Sequence, residues 1–452
     1  MEDQNNIIEP MEYDIFVQSV RKFQVNQIGT DQWFESHEIL IKFNQQALIE
    51  ASSFREELVK ELFIINDKIE VLVHETYCIF VWRTKILPKI QIEDYEANAT
   101  FILYSILYHE ATTISLLETL LYHENGCTAL GDISIDLIDY CAQAVVQLIG
   151  LTHLKHFEDT PDTSKLKQEE ASDEIERQKK DLQFKIGLRC LTILSFLADK
   201  MDNIAISVIR RMVVTHDIPC MLSEILHCKP WIRCINGIEK YIDDKWVPVN
   251  GIDIVKLTKT EAHVWFCMRN LLFSRDAMAY YEINEFRQRE LGKLQLLLSV
   301  YVIDQLPPLG DLKHHLCTLN VSSSKKKSVN IILEEMPKIK DELIANAKRI
   351  GYEIIANEHI NRFLKIETSE MIGIAQRLSA AYNIEFMEKF DDFQDRDETK
   401  NACNSSNENR CAQCFTPAIK KCSNCEQSYY CSRECQVKHW PIHKTICHNK
   451  KE

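Results

Sequence analysis

Glycine is scarce in this chain, with 11 residues in 452, about a third of the ~7% usual in proteins. Nucleotide-binding α/β folds need glycine at their phosphate turns, so the shortage argues for helices instead. Long apolar runs are missing as well. Stretches such as "FILYSILY" fall far short of the ~20 residues a bilayer span needs. The acidic start "MEDQNNIIEPMEYD" has no apolar run that would serve as a secretory signal. These features lead us to expect a soluble, intracellular protein with no membrane partner. Cysteine is sparse over the first four hundred residues: Cys78, Cys127, Cys141, Cys190, Cys220, Cys228, Cys234, Cys267 and Cys317. In a reducing compartment these nine read as small buried apolar residues, not as a disulfide framework.

Catalytic signatures are also lacking. The chain has no G-x-S-x-G, no G-x-G-x-x-G, no P-loop and no H-E-x-x-H. His-Glu neighbours recur at His37-Glu38, His74-Glu75, His109-Glu110 and His123-Glu124. Adjacent helical residues point about 100° apart, and no second histidine follows at i+4, so these pairs read as ordinary helix surface and core positions. We expect no enzyme. The net charge of -14 repels nucleic-acid backbones, so nucleic acid is not an expected partner.

What the chain does contain is amphipathic periodicity. In "DISIDLIDYCAQAVVQLIG", Ile133, Leu137, Cys141, Val145, Leu148 and Ile149 share a face, with Asp132 placed to cap one end and Gly150 to close the other. In "TKTEAHVWFCMRNLLFS", Thr258 and Glu261 form a capping box ahead of Val264, Cys267, Met268, Leu271 and Leu272. Similar patterns recur along most of the chain. They predict an all-α, armadillo- or HEAT-like helical solenoid: an N-terminal helical region over 1–154 and a second over 182–390. A small hairpin is expected at 238–249, around Asp243-Asp244 in "IEKYIDDKWVPV". Residues 155–181, mostly charged or polar around Pro161, read as a linker that runs into the next helix, and 391–410 as a flexible one. The run "SSSKKKS" at 322–328 reads as a solvated surface loop, with a nuclear import signal as the rarer alternative.

Cysteine then becomes dense. Seven of the thirty-seven residues from Cys411 to Cys447 are cysteines, in the pattern C-x2-C-x7-C-x2-C-x5-C-x3-C-x7-H-x3-C. The eight donors are Cys411, Cys414, Cys422, Cys425, Cys431, Cys435, His443 and Cys447. Four pairs of soft or borderline ligands match two tetrahedral zinc ions, and with every position filled by protein the metal is structural. Four half-sites can pair in three ways, among which spacing does not choose. From Cys411 onward, seven Lys plus Arg stand against three Glu, giving +4 and leaving -18 for residues 1–410.

This segment, with its ending "YYCSRECQVKHWPIHKTIC", resembles a MYND zinc finger over 411–447. The resemblance implies cross-braced sites, with Cys411, Cys414, Cys431 and Cys435 on one zinc and Cys422, Cys425, His443 and Cys447 on the other. It also implies a protein-binding module whose groove involves Ser423, Gln436 and Trp440, with Trp440 either lining the groove or packing over the second zinc. Lysine methyltransferases carry such fingers inside a SET domain, but no Asn-His motif of that domain is found here.

The stretches "DQWFESHEILIKFNQQALIEA", "HEATTISLLETLLYH", "DLIDYC", "THDIPCMLSEIL", "VWFCMRNLL" and "DQLPPL", in this order ahead of a terminal finger, are similar to a family of MYND-finger proteins that preassemble axonemal dynein arms. That resemblance implies a co-chaperone-like adaptor for motile cilia and flagella, in the cytoplasm or near centrioles and the ciliary base. Its implied partners are a leucine-rich-repeat assembly factor, Hsp90- and Hsp70-type chaperones and dynein chains as clients. A nuclear corepressor adaptor using the same finger is the alternative.

Overall fold

The computed structural model describes residues 7–9, 11–53, 56–90, 97–155, 170–235, 237–319, 336–365, 373–374, 376–377, 420–421, 429–430, 432–433 and 436. The chain divides into two compact units, 1–383 and 384–452. The first is built on α1 (Asp31–Ser52), α2 (Ile69–Val81), α3 (Ala97–Leu120), α4 (Ser134–His153), α5 (Ala171–Asp199), α6 (Ile218–Cys228), α7 (Lys259–Phe273), α8 (Glu285–Leu297), α9 (Leu309–Leu319), α10 (Ile339–Ile350) and α11 (Tyr352–His359). The expected all-α class holds. The periodic faces are the core: Leu137, Cys141, Val145 and Leu148 of α4, and Val264, Cys267, Met268, Leu271 and Leu272 of α7, are all buried.

Helix α5 is the hub of this unit, packed against α3, α4 and α7. Its apolar half, from Leu182 to Ala198, is buried almost all round, the pattern of a helix inside a core. Gly187 permits the close approach to α4: a Cβ there would stand 2.8 Å from the Cβ of Leu148. The polar half begins at Ala171, so residues 171–181 are helical where a linker was expected. Same-helix pairs explain the difference: Glu176 with Lys179 and Lys180, Arg177 with Asp181, and Gln178 with Glu174. Such i,i+3 and i,i+4 pairs support a charged helix once a core anchors its far end. Residues 156–169 of that expected linker lie outside the described residues.

Two capping expectations are revised. Helix α4 starts at Ser134 after a 3-10 turn at Gly131–Ile133, without a side-chain cap from Asp132, and it runs through Gly150 to His153. Thr258 does cap α7 by accepting from the Glu261 N–H. The Glu261 carboxylate, however, turns to the indole Nε1 of Trp231 at 3.0 Å and Lys229 Nζ at 3.3 Å, because a fully buried Trp N–H needs an acceptor. By length and composition Gly131–His153 would also pass as a membrane span; here α4 packs along α5 in the core.

The hairpin is present as β2 (Ile238–Ile242) and β3 (Lys245–Pro248), preceded by β1 (Ile232–Cys234), in an antiparallel sheet of order β1-β2-β3. Ile242 pairs with Lys245, so Asp243 and Asp244 form a two-residue turn, with φ of 47° and 63°. Two left-handed residues give the turn whose twist matches a hairpin, and aspartate is among the few non-glycine residues that tolerate it. Arg189 of α5 anchors the turn, its Nη2 donating to Asp244 Oδ2 at 2.7 Å.

One departure from a simple linear stack is the return of the chain: α10 packs on α2, beside α4, while α11 covers the π-helical turn Trp82–Ile86. Helix α10 lacks a cap of its own. Asp136 of α4 supplies it, Oδ1 accepting from the N–H groups of Lys338 and Ile339, each at 3.0 Å. Arg362 donates to the carbonyls of Asn26 and Ile28 at 3.0 and 2.8 Å. The later half of the first unit is therefore closed back onto its beginning.

Candidate metal centre

In the second unit, β4 (Lys420–Lys421) pairs antiparallel with β5 (Tyr429–Tyr430), with Lys420 opposite Tyr430 and Lys421 opposite Tyr429. Tyr430 is buried. Just beyond, the Gln436 N–H donates to the Ser432 carbonyl at 3.2 Å, an i→i−4 bond of a helical turn. The pattern is a short hairpin followed by a helical turn. In sequence, Cys422 and Cys425 fall between the two strands, Cys431 directly after the second, and Cys435 next to Gln436. All eight expected ligands, and Ser423 and Trp440, lie outside the described residues; of the expected groove Gln436 alone is described, half-buried.

The donor chemistry fits zinc. Seven thiols and an imidazole are soft to borderline ligands, and each C-x2-C spacing lets two sulfurs reach one metal. Such a metal supplies folding free energy to a segment with few apolar side chains, on the order of 10 kcal/mol per structural site.

The profile of the MYND finger matches residues 411–447. A curated relative, the zinc finger MYND domain-containing protein 10 homolog of Drosophila melanogaster, is 41% identical over 452 aligned residues, covering 98% of this chain and 99% of that protein. The chain belongs to the zinc finger MYND domain-containing protein 10 family. Other similarities are short. The N-lysine methyltransferase SMYD2 of Homo sapiens is 46% identical over 41 residues, a tenth of its length and close to the finger's own size. Ubiquitin carboxyl-terminal hydrolase 15 of Arabidopsis thaliana is 28% identical over 137 residues, 14% of its length. No solved structure matches. Membership of the zinc finger MYND domain-containing protein 10 family and the finger itself make this a MYND-containing protein-binding adaptor with bound zinc.

Among the His-Glu neighbours of the helical unit is a buried network. His37 of α1 and His109 of α3 face each other, Nδ1 to Nδ1 at 2.8 Å, with Trp33 stacked on His37. His109 Nε2 lies 3.7 Å from Glu75 of α2, whose other oxygen accepts from the Phe23 N–H at 2.7 Å and sits 3.1 Å from His74 Nδ1. Burial, with His109 alongside, holds His37 well below the ordinary histidine range. Burial pushes Glu75 up, but the attraction of the neighbouring His109 and His74 outweighs that and holds it low. Glu110 accepts both prongs of Arg83 at 2.7 and 3.1 Å, and the Tyr140 hydroxyl at 2.7 Å. These groups take the core positions expected of such pairs and lock α1, α2, α3 and α4 in one register. The surface positions are those of His123, half-exposed beside Glu57 at 2.8 Å, and the exposed Glu124. No one-dimensional signal marks the others, since apart from His74 beside Glu75 their polar partners lie 27 or more residues away.

The scattered cysteines are likewise mixed. All nine are free and five are buried, but Cys220 and Cys228 are half-buried and Cys234 and Cys317 exposed.

Proposed function

We propose that this adaptor serves the preassembly and stability of axonemal dynein arms in the cytoplasm, and hence motile cilia and flagella. The observation that carries the reading is the end-to-end similarity, over 98% of the chain and 99% of the relative, to the zinc finger MYND domain-containing protein 10 homolog. A resemblance confined to the finger would support only a generic binding module. The helical unit offers extended surface to large clients, and the finger is a second binding element on the same chain, which raises the local concentration of whatever it captures. In this reading dynein chains are the clients, a leucine-rich-repeat factor and Hsp90/Hsp70-type chaperones are the partners, and the chain catalyses no reaction itself. The finger holds two zinc ions in the cross-braced pairing, and Ser423, Gln436 and Trp440 form its partner groove. Affinity purification of the tagged full chain from ciliated or sperm-forming cells tests it. Dynein heavy or intermediate chains together with chaperones are expected in the eluate; histone-modifying complexes in a nuclear fraction would replace this reading with the corepressor one.

A further inference from the structure

Where α4 ends and α6 presents one face, three metal-binding side chains converge. His153 is the last residue of α4, and Glu224 and Cys228 stand at i and i+4 on α6. His153 Nε2 is 3.1 Å from Glu224 Oε1, Cys228 Sγ is 3.4 Å from the same oxygen, and Sγ is 3.7 Å from His153 Nε2. They line an open cleft of about 410 Å³, with His227, Pro230 and Trp246 on its wall.

We propose that His153, Glu224 and Cys228 form a second, exchangeable binding site for one zinc-class divalent cation, separate from the finger.

The first support is geometric. Zinc bonds of about 2.05 Å to nitrogen, 2.1 Å to oxygen and 2.3 Å to sulfur, at the tetrahedral angle, put donors about 3.4 Å apart for the N–O edge and about 3.6 Å for edges with sulfur. The three observed edges differ from those by at most about 0.3 Å, so the donors already outline one face of a zinc tetrahedron. The second support is chemical: imidazole, carboxylate and thiol together suit a borderline cation better than magnesium or calcium, which take oxygen. Three protein donors leave the fourth position to the cleft, where water or a donor from another molecule completes it; this sets the site apart from the closed sets of the finger. The site also accounts for Cys228, which hydrophobic burial does not explain. Binding converts the thiol, whose proton now goes to Glu224, into a thiolate and releases that proton to solvent.

The test uses the full chain with its finger already loaded, and reads alkylation of Cys228 by iodoacetamide at peptide resolution, with and without added Zn2+. Protection of about tenfold is expected once free zinc exceeds its dissociation constant tenfold. The exposed Cys317 should react at an unchanged rate. His153→Ala and Glu224→Gln should each abolish the protection; both side chains are about half exposed, at 59% and 45%, so the variants should fold. Equal alkylation of Cys228 with and without zinc overturns the proposal, as does protection that survives both replacements.

Discussion

The indole Nε1 of Trp82 donates to Nδ1 of His359 at 3.0 Å, across 277 residues of sequence. Accepting that proton requires His359 to be neutral at Nδ1. Burial, reinforced by Arg362, pushes its pKa down to about 3. The folded chain therefore stays unprotonated where the unfolded chain takes up a proton. Stability is full above about pH 6.5 and falls as pH drops toward 3, by up to about 1.4 kcal/mol per unit. Chemical denaturation at pH 7.5 and pH 5 should show that loss, and His359→Gln, which keeps an acceptor for Trp82 and removes the titration, should flatten it. His37 shifts in the same direction and will retain part of the slope; a slope unchanged in the variant would remove His359 from the account.

Asp136 caps a helix to which it does not belong. Asp136→Ala leaves the N–H groups of Lys338 and Ile339 without their acceptor, at a cost of about 1–2 kcal/mol. Hydrogen exchange should rise first in residues 339–350, while α5 and α7 keep their protection. Uniform loosening of the whole unit would instead show that the return segment and the core open together.

Gly187→Ala should destabilise even though alanine is the better helix former by up to ~1 kcal/mol, because the new methyl meets the Leu148 Cβ, which the α4 backbone fixes in place. A lower melting temperature is expected, and Leu148→Ala in the same chain, which keeps the offending Cβ, should not restore it. A higher melting temperature for the single variant would mean that the α4–α5 contact yields.

For the finger, elemental analysis should find two zinc ions per chain, lost together on chelation. Cys422→Ser and Cys431→Ser, in different sites of the cross-braced pairing, should each disrupt the entire finger while the helical circular dichroism of the first unit stays unchanged. A stoichiometry of one would refute that pairing.

Trp440→Ala should weaken partner capture by at least about 30-fold, the loss of an aromatic anchor worth ~2 kcal/mol, with zinc content intact. Release of zinc by the same change would reassign Trp440 to packing over the metal.

Patterns confined to one helix or one turn were legible in the sequence. The α4 and α7 faces, the Asp243-Asp244 hairpin and the finger at 411–447 each depend on residues close in the chain. What escaped depends on partners far away: the Asp136 cap on α10, the Glu261 carboxylate drawn off its expected box by Trp231, and His37 meeting His109. The linker expected at 155–181 failed at 171–181 for a related reason. Composition reports solvation, whereas the helix there extends from the buried run that starts at Leu182, with Ile175 buried as well. The His153–Glu224–Cys228 cluster joins two helices, and only Glu224 and Cys228 share a local spacing.

The Trp82–His359 contact also fixes an order of events during synthesis. At roughly 5 to 20 residues per second, the ribosome needs about 15 to 55 s after adding Trp82 before His359 exists. Throughout that interval α2 and the turn after it expose the apolar surface that α10 and α11 will cover. The newborn chain thus presents apolar surface of the kind that holding chaperones bind, and a message truncated before the return segment yields a product in which α2 and that turn stay uncovered.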